Sequence, residues 1–259
     1  MRFKDKVAVI TGAASGIGRA TALAFGAEGA NLILVDIDES GLAEVAGSLP
    51  ADCQFDLIVG DVAREETALS VAKVANKIYK RINILFNNAG VETVAALHET
   101  TEAMWDNVMD TNLKGAYFMT KQCLAFMINA GGGVIINNAS DAGLRGIKYS
   151  AAYSTSKAGL IHFSLSTALD YASKGIRCNA ICPGCIRTPL CERFNENVGK
   201  RKGITGAKAL QEFVDANIPM KRVGECDEVA KVVLFLCSPD AGYITGAVIP
   251  IDGGLTAGM

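Results

Sequence analysis

Short apolar runs recur along the chain, and longer stretches with a helical spacing of apolar positions separate them. Each run is rich in Val, Ile and Leu and almost continuously apolar, which is typical of strands covered on both faces of a parallel sheet. Right-handed connections between such strands produce a doubly wound sheet with helices on both sides. Seven runs are predicted as strands, at residues 7–11, 31–35, 55–59, 82–87, 134–138, 176–181 and 247–251.

One domain accounts for the whole length of 259 residues. The sequence has no internal repeat, low-complexity tract or linker, and its length suits one large α/β unit of three layers, αβα. The segment 187–222 has the least regular pattern, because "NENVGKRKGITG" is polar and punctuated by glycine. We interpret it as an insertion that forms either a substrate loop over the ligand crevice or a plain surface excursion.

Composition limits the classes of partner. The formal net charge is -2, which provides no basic footprint for nucleic acid. No apolar run approaches 18 residues, so no membrane-spanning helix is predicted. The first residues, "MRFKDKVAVITG", contain too short an apolar run for a signal peptide. We therefore expect a cytoplasmic protein that acts on small molecules, without nucleic acid or membrane partners.

Eight cysteines raise the question of a metal or redox site. Cys182 and Cys185 have C-x-x-C spacing, but no second pair and no nearby histidine complete a zinc set. A proline and a glycine separate the two, whereas a redox C-x-x-C normally opens a helix. We expect reduced thiols and no metal, with a metal or redox role as the minor alternative.

The first predicted strand runs into the glycine-rich turn "TGAASGIGRA", with Gly12, Gly16 and Gly18 at G-x-x-x-G-x-G spacing. Such glycines permit a tight turn, a close approach of backbone to a pyrophosphate and close packing of the following helix. The N–H groups at the start of that helix then face the phosphates. The pattern predicts a dinucleotide site, and its place between strand and helix strengthens the prediction.

Asp36 ends the second predicted strand, 24 residues after Gly12. A carboxylate at this place can accept hydrogen bonds from the two hydroxyls of a ribose. The alternative is a solvated carboxylate at a strand end. Together with the glycine-rich turn, Asp36 favours dinucleotide binding.

The stretch "YSTSK" places Tyr153 and Lys157 four residues apart, on one face of a predicted helix. An accidental surface pair would have the same spacing. A free phenol titrates near pH 10, and a neighbouring ammonium favours the phenolate and lowers its pKa. The pair could therefore serve acid–base chemistry.

Eight short motifs occur in order along the chain, and together they resemble the short-chain dehydrogenase/reductase family over essentially its whole length. The resemblance implies a Rossmann-like doubly wound sheet and an oxidoreductase. The motifs are "TGAASGIG" at 11–18, "GDV" at 60–62, "NNAG" at 87–90, "TNLKG" at 111–115, "NNAS" at 137–140, "YSTSK" at 153–157, "CPG" at 182–184 and "IDGG" at 251–254.

The resemblance implies a catalytic set of four residues. Tyr153 would be the general acid/base, and Lys157 would lower its pKa and bind the nicotinamide ribose. Ser140 would hydrogen-bond the substrate oxygen. Asn112 would anchor a water in a proton relay. His98 and His162 match no catalytic position of the family.

The resemblance also implies a cofactor site and a choice of cofactor. Members that use NADP commonly carry a basic residue just before the second glycine or just after the second strand, where this chain has Ser15 and Ile37. A 2′-phosphate would also meet the Asp36 carboxylate, so NAD is expected. The implied cofactor-binding residues are Gly12, Ser15, Gly16, Ile17, Gly18, Asp36, Ile37, Asp61, Val62, Asn88, Ala89, Gly90, Tyr153, Lys157, Pro183, Gly184, Ile186 and Thr188.

The expected activity is that of an NAD-dependent alcohol dehydrogenase or ketone reductase acting on a secondary alcohol or ketone. A 3-oxoacyl-carrier-protein reductase and a non-catalytic dinucleotide sensor are the alternatives. The implied substrate-binding residues are Ser140, Asp141, Ile147, Tyr153 and Cys185, with Gly143, Leu144, Tyr149, Leu190 and Phe194 as further candidates for the pocket wall.

Two further expectations concern assembly and charge. The family resemblance and two helical segments, around 112–128 and 151–172, predict a homotetramer. Lys200, Arg201 and Lys202 form a basic run in the insertion. This run is either a solvated surface or a lure for an anionic substrate.

Overall fold

The computed structural model describes residues 1–258. Its centre is a seven-stranded parallel sheet with the order β3-β2-β1-β4-β5-β6-β7. All seven predicted strands are present, with ends that differ by at most two residues, and the predicted α/β class is confirmed. The strands are β1 (Val7–Thr11), β2 (Asn31–Asp36), β3 (Phe55–Val59), β4 (Ile84–Asn87), β5 (Gly133–Asn138), β6 (Ile176–Pro183) and β7 (Val248–Ile251).

Helices connect the strands and cover both faces of the sheet. A π turn at Asp110–Lys114 joins α4 to α5, so that the two form one continuous helical rod. In residues 1–258, no helix is both long enough and apolar enough to span a bilayer. The α-helices are α1 (Gly16–Ala27), α2 (Glu39–Gly47), α3 (Glu65–Val74), α4 (Glu102–Met109), α5 (Gly115–Asn129), α6 (Ala151–Tyr171), α7 (Pro189–Lys202), α8 (Gly206–Asn217) and α9 (Cys226–Cys237).

The core has two layers because alternate side chains of each strand face opposite sides of the sheet. On β1, Ile10 packs in the cluster that contains Phe25 of α1. Its neighbour Val9 packs in the other cluster, which contains Met119 of α5. Burial on both faces explains why the strands are almost continuously apolar.

The segment 187–222 is largely helical, although its sequence pattern is the least regular of the chain. It forms α7 and α8, which pack against each other. Thr188 and Thr205 cap the two helices, each hydroxyl accepting from a backbone N–H three residues on. Gly199 permits the close contact, because a Cβ there would lie 2.8 Å from the Ile204 carbonyl oxygen.

The strand order reverses direction between β1 and β4, which are adjacent in the sheet. The connections on the two sides of this point leave in opposite directions, so a crevice opens at the carboxyl ends of the strands. The residues that follow β1, β4, β5 and β6 meet at this crevice.

Candidate active site

A cavity of about 490 Å³ lies at the carboxyl ends of the strands. The turn after β1 and the ends of β2 and β3 form one end of it, and the ends of β5 and β6 with α6 and α7 form the other. Its wall includes Gly12, Ser15, Gly16, Ile17, Asp36, Ile37, Asp61, Val62, Asn88, Ala89, Gly90, Ser140, Tyr153, Lys157, Pro183, Gly184, Ile186 and Thr188.

The glycine-rich turn fits a dinucleotide. Gly12 has a φ of +64°, and a Cβ on it would lie 2.9 Å from the Cα of Ala89. A Cβ on Gly18 would overlap the Gly12 carbonyl oxygen, so Gly18 lies beneath the turn rather than on the cavity wall. The N-cap residue of α1, Ser15, makes no side-chain cap. The first N–H groups of α1 are therefore available to phosphate oxygens.

Three carboxylates surround the end of the cavity beyond β2 and β3. Asp36 accepts hydrogen bonds from the Ala14 N–H at 2.9 Å and from the Asp38 N–H at 3.1 Å. Asp38 and Asp61 line the same end, and the described lining residues there include no lysine or arginine. The backbone donors hold the Asp36 carboxylate in place, and its remaining lone pairs can accept ribose hydroxyls.

Ser140 follows β5 and is 5% exposed. Its Oγ accepts from the Ala142 N–H at 3.1 Å and donates to Asp141 Oδ1 at 3.1 Å. Asp141 in turn forms an ion pair with Arg145 at 2.7 Å. These contacts fix the Ser140 hydroxyl on the cavity wall, where it can reach a substrate oxygen.

Tyr153 and Lys157 lie in the first two turns of α6, and the Lys157 Nζ is 5.6 Å from the centre of the Tyr153 ring. The Nζ donates to the Asn138 carbonyl oxygen at 2.7 Å. Burial lowers the pKa of Lys157 to about 8, because it disfavours the ammonium. The Lys157 amine is thus held where β5 meets α6, and its other N–H donors remain available to a ligand.

The pKa of Tyr153 is raised in this site. Burial is the largest cause, and the negative charges of Glu92 and Asp141 act in the same direction. The hydrogen bond with Ser140 opposes them. The protein by itself therefore keeps the phenol protonated at neutral pH.

Asn112 lies in the π turn and is 1% exposed. Its amide exchanges two hydrogen bonds with the backbone of Val91 and donates to Ser156 Oγ at 3.0 Å. The amide is therefore bonded on both its oxygen and its nitrogen. Asn112 stands behind the cavity wall and holds the segment that follows the "NNAG" motif.

Three predicted substrate residues lie off the wall of this cavity. The Asp141 carboxylate forms its ion pair with Arg145, and Ile147 lies in the segment that follows. Cys185 lines a separate depression, together with Gly224. The predicted wall residue Leu190 does line the cavity. His98 and His162 are exposed.

Glu92 is a site residue that the sequence did not reveal. Its Oε1 is buried and has no hydrogen-bond partner among the described residues. Burial raises its pKa to about 8, although the charge of Arg193 opposes this rise. The only signal in the sequence is its position two residues after the "NNAG" motif. Glu92 lies on the wall of a neighbouring cavity. In the first cavity, Asn107, Thr111, Cys191 and Arg193 line the wall without having been predicted.

The two cysteines that lie closest in space are not the two with C-x-x-C spacing. Cys182 is fully buried in β6, while the Cys185 and Cys191 Sγ atoms lie 3.1 Å apart. The pKa of Cys185 is lowered because the Cys191 thiol donates a hydrogen bond to it. Every cysteine is a free thiol, and residues 1–258 contain no cluster of three potential metal ligands.

Residues 12–256 match the family model described as "Enoyl-(Acyl carrier protein) reductase". The levodione reductase of Leifsonia aquatica is 40% identical over 261 residues, covering 99% of this chain and 96% of that protein. The 3-oxoacyl-[acyl-carrier-protein] reductase FabG of Thermotoga maritima is 40% identical over 259 residues, covering 98% of this chain and 99% of that protein.

Solved structures give the same result. The crystal structure of levodione reductase has a TM-score of 0.95 at 38% identity and covers 100% of both chains. NAD+-bound xylitol dehydrogenase has a TM-score of 0.93 at 32% identity, covering 98% of this chain and 100% of that chain. L-sorbose reductase from Gluconobacter frateurii, complexed with NADPH and L-sorbose, has a TM-score of 0.91 at 33% identity and covers 98% of both chains.

The fold, the crevice with its glycine-rich turn and the sequence matches define an oxidoreductase with a nicotinamide dinucleotide site. The chain belongs to the short-chain dehydrogenase/reductase family, so the predicted resemblance is confirmed. The two structures with bound cofactor hold different dinucleotides, NAD+ in one and NADPH in the other.

Proposed function

We propose that the protein transfers hydride between NAD(H) and a secondary alcohol or ketone of small size. The observation that carries the proposal is the meeting of Ser140, Tyr153 and Lys157 on one wall of the cavity that begins at the glycine-rich turn. Two hydroxyls and an amine at one point can hold a carbonyl oxygen and exchange a proton with it.

A nicotinamide dinucleotide held in this cavity would supply the hydride acceptor for oxidation and the hydride donor for reduction. Ser140 would turn its O–H from Asp141 Oδ1 to the substrate oxygen and orient that oxygen toward Tyr153. Tyr153 gives a proton to that oxygen in reduction and removes it in oxidation. Because the pKa of Tyr153 is raised, the proton that reduction requires is present at neutral pH.

Lys157 positions the reacting groups. Its hydrogen bond to the Asn138 carbonyl oxygen uses one of the three N–H donors. The other two can reach a ribose hydroxyl of the cofactor and the Tyr153 side chain. An ammonium at this place favours the phenolate, which oxidation requires. Asn112 would act indirectly, by holding Val91 and the adjoining part of the cavity wall in place.

NAD is the proposed cofactor. The carboxylates of Asp36, Asp38 and Asp61 surround the end of the cavity that would receive the adenosine, and no described lining residue there offsets their charge. A 2′-phosphate would bring like charges together, which costs several kcal/mol when unrelieved. A ribose with two free hydroxyls would instead donate to Asp36.

A 3-oxoacyl-carrier-protein reductase is the second candidate, supported by the FabG relative at 40% identity. That activity requires a thioester substrate, and the carboxylates around Asp36 disfavour the phosphorylated cofactor. Comparison of acetoacetyl thioester with NADPH against a simple ketone with NADH separates the two activities.

Free thiols throughout the chain suit a reducing compartment, and we propose the cytoplasm. The homotetramer stays a prediction. Exposed apolar side chains on α5 and α6, such as Tyr117, Ile128 and Leu169, supply surfaces for it. Light scattering of the purified protein checks it.

The test is a screen of alcohols and ketones with NAD+ and NADH, following the absorbance of the reduced cofactor, with wild type beside Tyr153→Phe. The variant lacks only the titrating hydroxyl. We expect turnover to fall by about a thousandfold while NADH binding, measured by fluorescence, stays within about threefold. Turnover in Tyr153→Phe close to that of the wild type would contradict the assignment.

A further inference from the structure

A second cavity of about 630 Å³ opens beside the first. The two share Val91, Asn107 and Arg193 on their walls, so a substrate held at Tyr153 can extend from one into the other. Glu92 lies on the wall of the second cavity. The proposed chemistry does not account for this space.

One face of α7 forms the basic side of the second cavity. Arg193, Asn197 and Lys200 are spaced i, i+4 and i+7, which places them on one side of a helix. Among the described residues, neither the Arg193 guanidinium nor the Lys200 ammonium has a hydrogen-bond or ion-pair partner, although both residues form backbone bonds within the helix. Arg201 is occupied, because it bonds Glu99 and its guanidinium lies 4.7 Å from the centre of the Tyr149 ring.

Basic side chains outnumber acidic ones on these walls. Arg193, Lys200 and Arg201 line the cavity, and Glu92 is the one acidic side chain among the described lining residues. Burial raises the pKa of Glu92 to about 8, so the neutral form of its carboxyl predominates at neutral pH. The cavity thus presents two unpaired cations, with the amides of Asn107 and Asn197 as further donors.

We propose that this cavity binds an oxyanion carried by the substrate, so that the preferred substrate is an oxo acid or hydroxy acid rather than a neutral ketone or alcohol. The inference rests on the proposed function and names the substrate class of that same site. Arg193 at the junction would meet an anion close to the reacting carbon, and Lys200, about 10 Å further along α7, would meet one on a longer chain.

The test compares each acid with its methyl ester, which has the same carbonyl group and no charge. Acetoacetate and levulinate are reduced with NADH at fixed ionic strength by wild type, by Arg193→Gln/Lys200→Gln and by Lys202→Gln. Lys202 is the matched control, because it lies on the same helix, pairs with Glu212 at 3.6 Å and does not line the cavity.

We expect the wild type and Lys202→Gln to prefer at least one acid over its ester by about tenfold or more in kcat/KM. The double variant should lower that ratio to near one, a loss equivalent to about 1.4 kcal/mol. Equal kcat/KM values for acids and esters in the wild type would overturn the anion subsite and leave the reductase activity intact.

A second measurement does not depend on turnover. Levulinate is added to protein saturated with NAD+, which fills the phosphate site at α1, and the melting temperature is recorded. A rise in wild type and Lys202→Gln that is absent from the double variant supports the subsite, even if no ketone is reduced and the proposed activity fails. The same rise in all three proteins, or none, overturns it.

Discussion

The side-chain amide of Asn112 pairs with both backbone polar groups of Val91. Its Oδ1 accepts from the Val91 N–H at 2.8 Å, and its Nδ2 donates to the Val91 carbonyl oxygen at 2.9 Å. The amide thus occupies the place that a neighbouring strand would take. Because Val91 lies on the walls of both cavities and Glu92 follows it, this clamp determines where the two cavities meet.

Asn112→Ala should destabilise the protein and disturb the site together. The change leaves the Val91 N–H and carbonyl without their partners, which we expect to cost about 2 to 4 kcal/mol of unfolding free energy. Urea denaturation measures the loss, with Asn129→Ala, an exposed position in α5, as the control. A variant as stable as wild type but inactive would instead assign Asn112 to the proton relay.

Glu92→Gln should flatten the decrease in stability with rising pH. The folded-state pKa of Glu92 is about 8 against a reference of 4.5, so the folded protein holds the proton more tightly than the unfolded chain does. This contribution to stability is complete below the reference pKa and is lost as pH rises through the folded pKa.

A tenfold difference in proton affinity between the folded and unfolded states is worth about 1.4 kcal/mol, and partial solvent access of Glu92 reduces the total. We therefore expect a difference of about 2 kcal/mol between wild type and variant across this pH window. Denaturation curves at acid and mildly alkaline pH measure it. Glu44→Gln, at an exposed position of α2, should follow the wild type. Parallel curves for wild type and Glu92→Gln would show that the Glu92 carboxyl is solvated.

Asp36→Ala/Ile37→Arg should reverse the choice of cofactor. We expect the wild type to prefer NAD over NADP by about a hundredfold in kcat/KM, equivalent to about 3 kcal/mol. The double variant removes the repelling carboxylate and adds a cation beside it. Glu39→Ala changes a nearby charge outside the cavity and should keep the wild-type preference. Equal efficiencies with both cofactors in the unmodified enzyme would reject NAD preference.

Oxidised glutathione should convert Cys185 and Cys191 into a disulfide. The two thiols, 3.1 Å apart, lose two protons and two electrons, and the glutathione disulfide is reduced to two thiols. The new bond would tie the first turn of α7 to the end of β6 and slow turnover, and dithiothreitol should restore it. Mass spectrometry of peptides locates the bond.

Cys191→Ser should resist this inactivation, whereas Cys226→Ser should respond as the wild type does. Cys226 is the matched control, because it is a partly buried free thiol without a cysteine neighbour within hydrogen-bond distance. Inactivation of Cys191→Ser at the wild-type rate would place the sensitive thiol elsewhere.

The strands were predictable from the sequence because burial on both faces leaves a continuous apolar run, as in β1 and β2. The helices α7 and α8 were not, because Thr188 and Thr205 caps and mutual packing stabilise them instead of a wide apolar stripe. The position of α7 in the fold also places Cys191 next to Cys185, and it places Arg193 on the walls of both cavities. The burial of Glu92 depends on contacts distant in sequence, so no local pattern could predict it.

The division of the crevice at the β1–β4 switch point has a consequence for how this enzyme can be altered. The carboxylates at the proposed adenosine end all precede residue 62, and the proposed reacting groups and the basic face of α7 all follow residue 88. The Asp36 carboxylate accepts its hydrogen bonds from Ala14 and Asp38, both of which belong to the first half. Changes in the two halves should therefore add in free energy. A chimera that takes its first 80 or so residues from a relative should inherit that relative's dinucleotide and keep its own substrate.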